Sequence, residues 1–420
     1  MIRRIQVKNY RCLRYIDQSM NAFHVLVGPN ASGKTTFLDV PAFLGDLLTM
    51  GLEDALRVRS ANFHDLLFNH TGDRFEIAVE CAVPSERLNK LSGAAFDTVR
   101  YEVAVGLDES SNEIHIFDEQ VILLTAPETV SRQLTIFPMP IIGPETIMSP
   151  RTVTAPSKRV MRKVYNGNDN FYAETSPRGK GGWAPSFRLG PKKSALANMP
   201  EDENAFPVST WLREMLVQGT QTLMLSSMAL RQSSPPGRGF GFRPDGSNLP
   251  WVIYNLEKEN PQRKREWIEH LSTALPDVED ITTVEIPDTK HRYIKLRYRG
   301  GLDIPSWMAS DGTLRMLALT LLAYLPDFGG VYLIEEPENG VHPQAMETVY
   351  QSLSSVYSAQ ILVATHSPVV LGSAEPPHIL CFKKDNKGAT DIVRGDMHPA
   401  LTDWQGEIEL SVLYASGVLG

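Results

Sequence analysis

Gly28-Pro29-Asn30-Ala31-Ser32-Gly33-Lys34-Thr35 has the spacing G-x-x-x-x-G-K-[ST], which suits a backbone that must wrap phosphate oxygens. The glycines let the chain curl until its N–H groups face one centre, and a helix starting there adds the positive end of its dipole. In such a loop, Lys34 reaches the β- and γ-phosphates and the Thr35 hydroxyl is placed for Mg²⁺, with Thr36 next in line. Far along the chain, the apolar run VYLIEE ends in two carboxylates, Glu335 and Glu336. Glu335 would hold the metal through water, and Glu336 would polarise an attacking water. The expected ligands are ATP and Mg²⁺, and the expected chemistry is hydrolysis to ADP and phosphate, with Lys34, Glu336 and His366 as its catalytic set.

Two further segments could face phosphate. Ser310-Asp311-Gly312-Thr313 opens a helix, so its amides and hydroxyl can form an anion site, although an ordinary helix cap reads the same way. His366, in ATHSP after an apolar strand, could contact a γ-phosphate, although a lone histidine is more often structural.

These groups need a scaffold that brings strand ends together. Residues 2–10 alternate like a strand, 23–28 form a short apolar run into the loop, and a helix is expected from Gly33 to about Met50. Strand-like segments follow at 75–83, 101–107 and 113–124. From 125 to 248 the chain is rich in Pro, Gly, Ser and basic residues, and reads as an insertion with mobile loops and one helix at 211–225. Regular structure returns with a helical stretch at 250–276 punctuated by Pro261, and a strand at 292–300. After these come a helix at 312–325, a strand at 331–336, a helix after Pro343, a strand at 360–367 and a last strand near HILCFKK. Strands alternating with helices imply a mostly parallel sheet covered on both faces. The expected units are therefore 1–124, an insertion at 125–248, and 249–420.

Composition narrows the setting. Hydrophobic residues make up 42% and charged residues 21% of the 420 residues, the balance of a globular protein. The opening residues lack the apolar stretch of a signal peptide, and the longest apolar run, Met316 to Leu325, is about half a membrane span. A cytoplasmic location without membrane contact is expected. Cys12, Cys81 and Cys381 are too scattered for a zinc site or a disulfide scaffold, and the histidines show no ligand spacing.

Charge is uneven. The net is −8, yet Arg151 to Pro200 holds ten Lys or Arg against two acids. Arg159, Arg162, Lys163, Arg178, Lys180, Arg188, Lys192 and Lys193 are interleaved there with Tyr165, Tyr172, Trp183 and Phe187. Phosphate pairing and base stacking use such a mixture, so DNA or RNA is an expected partner; a solvated basic loop resting on the acidic body is the plain alternative.

In order, GPNASGKTT, SDGTLRMLALTLLAY, LIEEPENGVHP and LVATHSPVVL resemble the ABC-type ATPase heads of the SMC, RecF and OLD families, as does the opening IRRIQVKNYRCL. The resemblance covers 1–124 and 246–420. It implies an α/β P-loop NTPase fold with a mostly parallel sheet, an antiparallel β portion in the N-terminal lobe and an irregular or helical insertion. It also implies ATP-driven pairing of two heads, or a higher oligomer. Ser310 and Gly312 would then complete the partner's site, Glu338 and Asn339 would lie between the sites, and His366 would sense the γ-phosphate. Three departures stand out: Asp311 and Thr313 alter the usual LSGGQ signature, Glu335 stands where many relatives have Asp, and the lobe-joining glutamine has no clear position.

The chain most resembles compact bacterial ATPases of anti-phage defence systems (Septu-like, PARIS-like and methylation-associated ones). A RecF-like repair ATPase is the runner-up; a transporter subunit or a non-hydrolysing scaffold is further off. About fifty residues follow the histidine motif, too few for the Toprim domain of OLD nucleases. The nearest imitation of a nuclease motif, Pro287-Asp288 with Ile294-Lys295, lacks its second acid. A separate effector protein, such as a nuclease, is therefore expected as a partner.

Overall fold

The computed structural model describes residues 1–91, 96–125, 136–139, 142–152, 156–176, 184–326, 329–401 and 409–419. In chain order the strands are β1 (Ile2–Tyr10), β2 (Leu13–Ser19), β3 (Phe23–Val27), β4 (Arg74–Ala82), β5 (Thr98–Asp108) and β6 (Glu113–Leu124). Next come β7 (Lys158–Val164), β8 (Asp169–Phe171), β9 (Ser186–Phe187), β10 (Thr220–Leu223), β11 (Val278–Glu285) and β12 (Arg292–Tyr298). The last five are β13 (Leu302–Pro305), β14 (Gly330–Glu335), β15 (Ala359–Ala364), β16 (Ile379–Lys384) and β17 (Thr390–Arg394).

A six-stranded sheet, ordered β10-β14-β15-β3-β16-β17, is parallel except for β17. Its central strands are buried on both faces, as continuous apolar runs require: all residues of β3 and β15 are buried. The order matters for the site. β15 lies between β3, which leads into the phosphate loop, and β14, which ends at Glu335. The carboxyl ends of all three strands therefore converge on one edge, where ligands of parallel sheets bind.

Against this sheet packs an antiparallel one, β2-β1-β4-β5-β6-β7-β8-β9. Period-two alternation gives it an apolar inner face, with Phe75, Ile77, Val79 and Cys81 of β4 in the core. Helix Lys34–Met50 fills the space between the sheets through Phe37, Leu38, Phe43, Leu44 and Leu47. A second apolar cluster covers the other face of the parallel sheet, built from helices Leu249–Glu259, Pro261–Ser272, Asp311–Leu321 and Met346–Ser354.

The outer face of the antiparallel sheet is polar and carries a strap. Glu76 accepts from Thr146 Oγ1 (2.9 Å) and the Ile147 amide (2.8 Å). Glu102 accepts from the Ser149 amide (2.8 Å), and Arg100 donates to the Ile147 carbonyl (3.0 Å). Buried carboxylates are thus satisfied by main-chain donors of the strap.

The stretch 125–248, expected as a separate irregular insertion, is instead woven into both sheets. β7 to β9 extend the antiparallel sheet, while β10 forms the edge of the parallel one beside β14. The helix expected at 211–225 is split into helix Pro207–Val217 and β10. The break falls at Gly219, whose carbonyl accepts from the Val331 amide at 2.6 Å and docks the new strand. Among the described residues, no helix is long and apolar enough to cross a membrane.

Candidate functional site

Between β3 and helix Lys34–Met50 the chain curls through Gly28 (φ 150°), Ala31 (φ 61°) and Gly33 (φ 109°). A Cβ on Gly33 would lie 2.4 Å from Thr390 Oγ1. That hydroxyl donates to the Ser32 carbonyl (2.8 Å), so the β16–β17 hairpin braces the loop from outside. Ser32 Oγ is buried and, among the described residues, has no hydrogen-bond partner. Such an orphan donor inside a loop of convergent amides suits an anionic ligand.

Lys34 is buried, and its Nζ donates to the carbonyls of Gly28 (2.7 Å) and Pro29 (3.0 Å). Burial pushes its pKa down, against the pull of Glu336, Glu335 and Glu338. Thr35 Oγ1 donates to Glu335 Oε2 at 2.7 Å. A hydroxyl and a carboxylate meeting at the mouth of the loop form a hard-oxygen pair of the kind that holds Mg²⁺.

Consecutive residues of a strand point to opposite faces, yet Glu335 and Glu336 both line one cavity. The backbone explains this. β14 ends at Glu335, and Glu336 adopts the left-handed conformation (φ 47°) with its amide bonded to the Ala364 carbonyl (2.8 Å). A non-glycine residue in that region costs on the order of 1–3 kcal/mol and persists where the surroundings over-determine it. Here Asn339 Nδ2 also donates to Glu336 Oε2 (2.7 Å), which aims the carboxylate.

His366 follows β15 and lines the same cavity. Its backbone amide donates to Glu338 (2.7 Å), which also accepts from Thr365 Oγ1 (2.9 Å). Its Nδ1 lies 3.1 Å from the hydroxyl of Tyr414, which donates to the Gly28 carbonyl (3.3 Å). Nothing in the sequence marks Tyr414: it lies in a short helix, Leu410–Ala415, with no motif around it.

The cavity holds about 630 Å³, within the range of small-ligand sites. Asn30 to Thr36 line it, together with Arg11 and Cys12 from the β1–β2 turn, Asn69, His70 and Lys384. Asn69 and His70 are a consecutive left-handed pair, with φ of 51° and 54°. Gly28 and Pro29 do not line the cavity; their carbonyls hold Lys34 Nζ.

Ser310 and Gly312 do not line this cavity. Ser310 caps helix Asp311–Leu321, accepting from the Thr313 amide at 3.1 Å, and Asp311 pairs with Arg231 at 2.7 Å. Gly312 presses against the segment that follows Glu336: a Cβ there would lie 2.3 Å from the Gly340 carbonyl oxygen.

Of the six described basic candidates, four are engaged or half-buried. Lys163 is buried and paired with Asp169 (2.9 Å), so it is not available to an outside phosphate. Lys192 bridges Glu53 (2.8 Å) and Glu113 (3.1 Å), and Arg159 donates to Gln120 (2.9 Å) and to strap carbonyls. Arg162 is half-buried beside Asp118, whose carboxyl is pushed by burial up to about 6. Arg188 and Lys193 are exposed, and Arg178, Lys180 and Trp183 lie outside the described residues. Of the aromatics, Phe187 stacks on Phe171 and Tyr165 on Phe117; Tyr172 is exposed. The charge count was blind to this because β7 sits inside a sheet, where its alternate side chains meet acids of neighbouring strands.

Residues 1–133 match a family model described as "AAA ATPase domain", and residues 221–372 match one described as "AAA domain, putative AbiEii toxin, Type IV TA system". An OLD nuclease from Thermus scotoductus is 22% identical over 432 aligned residues, covering 98% of this chain and 67% of that protein. Among solved structures, an SMC head bound to the C-terminal winged-helix domain of ScpA has a TM-score of 0.52 at 13% identity, covering 93% of this chain and 96% of that one. A Pyrococcus furiosus SMC head with an extended coiled coil, bound to the C-terminal domain of ScpA, also scores 0.52, at 12% identity, covering 96% and 98%. The fold is therefore that of a P-loop NTPase of the SMC-head type, and the chain is similar in sequence to AAA ATPase domains and to an OLD nuclease.

Proposed function

We propose that this chain is an ATPase that hydrolyses ATP to ADP and phosphate at the cavity between the phosphate loop and the ends of β14 and β15. The observation that carries the reading is the 2.7 Å contact between Thr35 and Glu335, which joins the two halves of the expected site across the fold. Thr35 and Glu335 would hold Mg²⁺, which supplies charge neutralisation to the phosphates when bound. Lys34 leaves its two loop carbonyls to meet phosphate oxygens, the loop amides and Ser32 Oγ orient them, and the Glu336 carboxylate takes the proton of the attacking water. Release of phosphate from ATP by the purified chain, measured at steady state, tests the reading; no release above background would sink it.

The second step of the proposal is a pair of chains closed head to head by ATP. It is supported by the position of Ser310, which caps helix Asp311–Leu321, and of Gly312 in its first turn, neither of which lines its own chain's cavity. A Lys34→Ala chain and a Ser310→Arg chain should each be inactive alone. Mixed in equal amounts they should regain about a quarter of the wild-type rate, because half the dimers are mixed and each holds one intact composite site. No recovery in mixed dimers isolated with two tags would place both halves of the site in one chain.

The biological setting we propose is an anti-phage defence system in which ATP closure governs nucleic-acid sensing and a separate effector protein, in the cytoplasm. Similarity to an OLD nuclease supports this direction. Among the described residues of this candidate set, the exposed basic groups left for nucleic acid are Arg188 and Lys193, and Arg178 and Lys180 belong to the same stretch of sequence. Labelled DNA or RNA should be bound without cleavage, and affinity should fall steeply with salt. Arg188→Glu with Lys193→Glu should flatten that slope. An unchanged slope would move the contact elsewhere, and Mg²⁺-dependent cutting would remove the need for a separate nuclease.

A further inference from the structure

The hydroxyl of Tyr414 stands between two parts of the site that the motifs treat as independent. On one side is His366 Nδ1 at 3.1 Å; on the other is the Gly28 carbonyl at 3.3 Å, the same oxygen that accepts from Lys34 Nζ at 2.7 Å. A carbonyl can only accept a hydrogen bond, and a phenol has one proton. The Tyr414 proton is therefore committed to Gly28, and its oxygen is left to accept from the ring. His366 Nδ1 must carry the hydrogen, which leaves Nε2 as the other ring nitrogen, with its lone pair free in the neutral form. The tautomer of a histidine is set in this way by the bond its second nitrogen makes.

We propose that Tyr414 is a positioning residue for His366: it fixes the ring in the Nδ1–H tautomer and ties its orientation to the phosphate loop. The proposal rests on the ATP-site reading for its kinetic consequence but not for the tautomer itself. The backbone of His366 is already held by Glu338, so ring rotation is the freedom left for Tyr414 to remove. Its own helix is anchored for the purpose. Leu410 is buried, and helix Leu410–Ala415 packs on helix Pro368–Ser373, which begins two residues after His366. A shift of the loop at Gly28 thus reaches the histidine through one hydroxyl, without a change in β3 or β15.

The test is Tyr414→Phe, which keeps the ring and its packing and removes the bridging oxygen. In ¹⁵N-histidine-labelled, nucleotide-free protein, the His366 resonances, assigned by their loss in His366→Ala, should report Nδ1–H in the wild type. In Tyr414→Phe they should move to the Nε2–H form that free imidazole side chains favour. With ATP, kcat should drop about 10-fold in Tyr414→Phe, the usual scale for losing an outer partner of a functional histidine, while KM stays within about 2-fold. In a His366→Ala background, Tyr414→Phe should cause no further loss. An Nε2–H signal in the wild type, or the same tautomer and the same kcat in the variant, would overturn the proposal. Absence of ATP turnover in the wild type would instead reject the ATP-site reading, while the tautomer measurement would still decide the role of Tyr414.

Discussion

Lys34→Ala is expected to abolish tight nucleotide binding, with ATP affinity falling at least 10³-fold and hydrolysis falling to background. The ammonium is buried under the loop and is the one cation among its residues, so it is the main counter-charge to a triphosphate there. Two unit charges about 4 Å apart at an effective dielectric of about 20 interact by about 4 kcal/mol, which is roughly three powers of ten in affinity. The fold should survive, because among the described residues Nζ bonds only to the carbonyls of Gly28 and Pro29, and the Gly28 oxygen still accepts from Tyr414. Titration with a fluorescent ATP analogue, beside a thermal melt of each protein, separates the two effects. Wild-type affinity in a folded Lys34→Ala chain would mean that nucleotide binds elsewhere.

Glu336→Gln should do the reverse: bind ATP as the wild type does and turn it over about 10² to 10⁴ times more slowly, the range for losing a general base. The amide matches the carboxylate in shape, and its oxygen can still accept from Asn339 Nδ2, so the left-handed turn at 336 keeps its support. What is lost is an oxygen able to take a proton. Glu335→Gln is the informative control, because it weakens the contact with Thr35 and should raise the Mg²⁺ concentration needed for half-maximal rate. Normal turnover by Glu336→Gln, measured by phosphate release, would move the base to another residue.

Much of the site was legible because its chemistry demands contiguous residues. The phosphate loop, the strand ending in Glu335 and Glu336, and ATHSP could each be read locally, and their strands, β3, β14 and β15, fall within a residue or a few of the expected ends. The helical stretch interrupted by Pro261 is likewise two helices meeting at Asn260. What stayed hidden depends on tertiary pairing. β2, with its mixed sequence LRYIDQS, is a strand because β1 pairs with it, and β10 is one because the Gly219 carbonyl docks on β14. Lys163 and Lys192 look like a basic surface in sequence and are ion-paired in space. Tyr414 lies 48 residues from its histidine, a distance no motif spans.

The contact between Gly312 and Gly340 has a mechanical meaning. With no side chain on either residue, two backbones touch directly, and nothing soft lies between them to absorb a displacement. One of these backbones follows Glu336, which lines the cavity, and Asn339, which donates to it; the other begins the helix capped by Ser310. In a closed pair of chains, that helix end would face the neighbour's nucleotide. In such a proposed pair, a stiff joint of this kind would couple the two cavities: a displacement at one Glu336 would arrive, undamped, at the opposite one. The pair would then keep time with itself, each firing conditioned by the last.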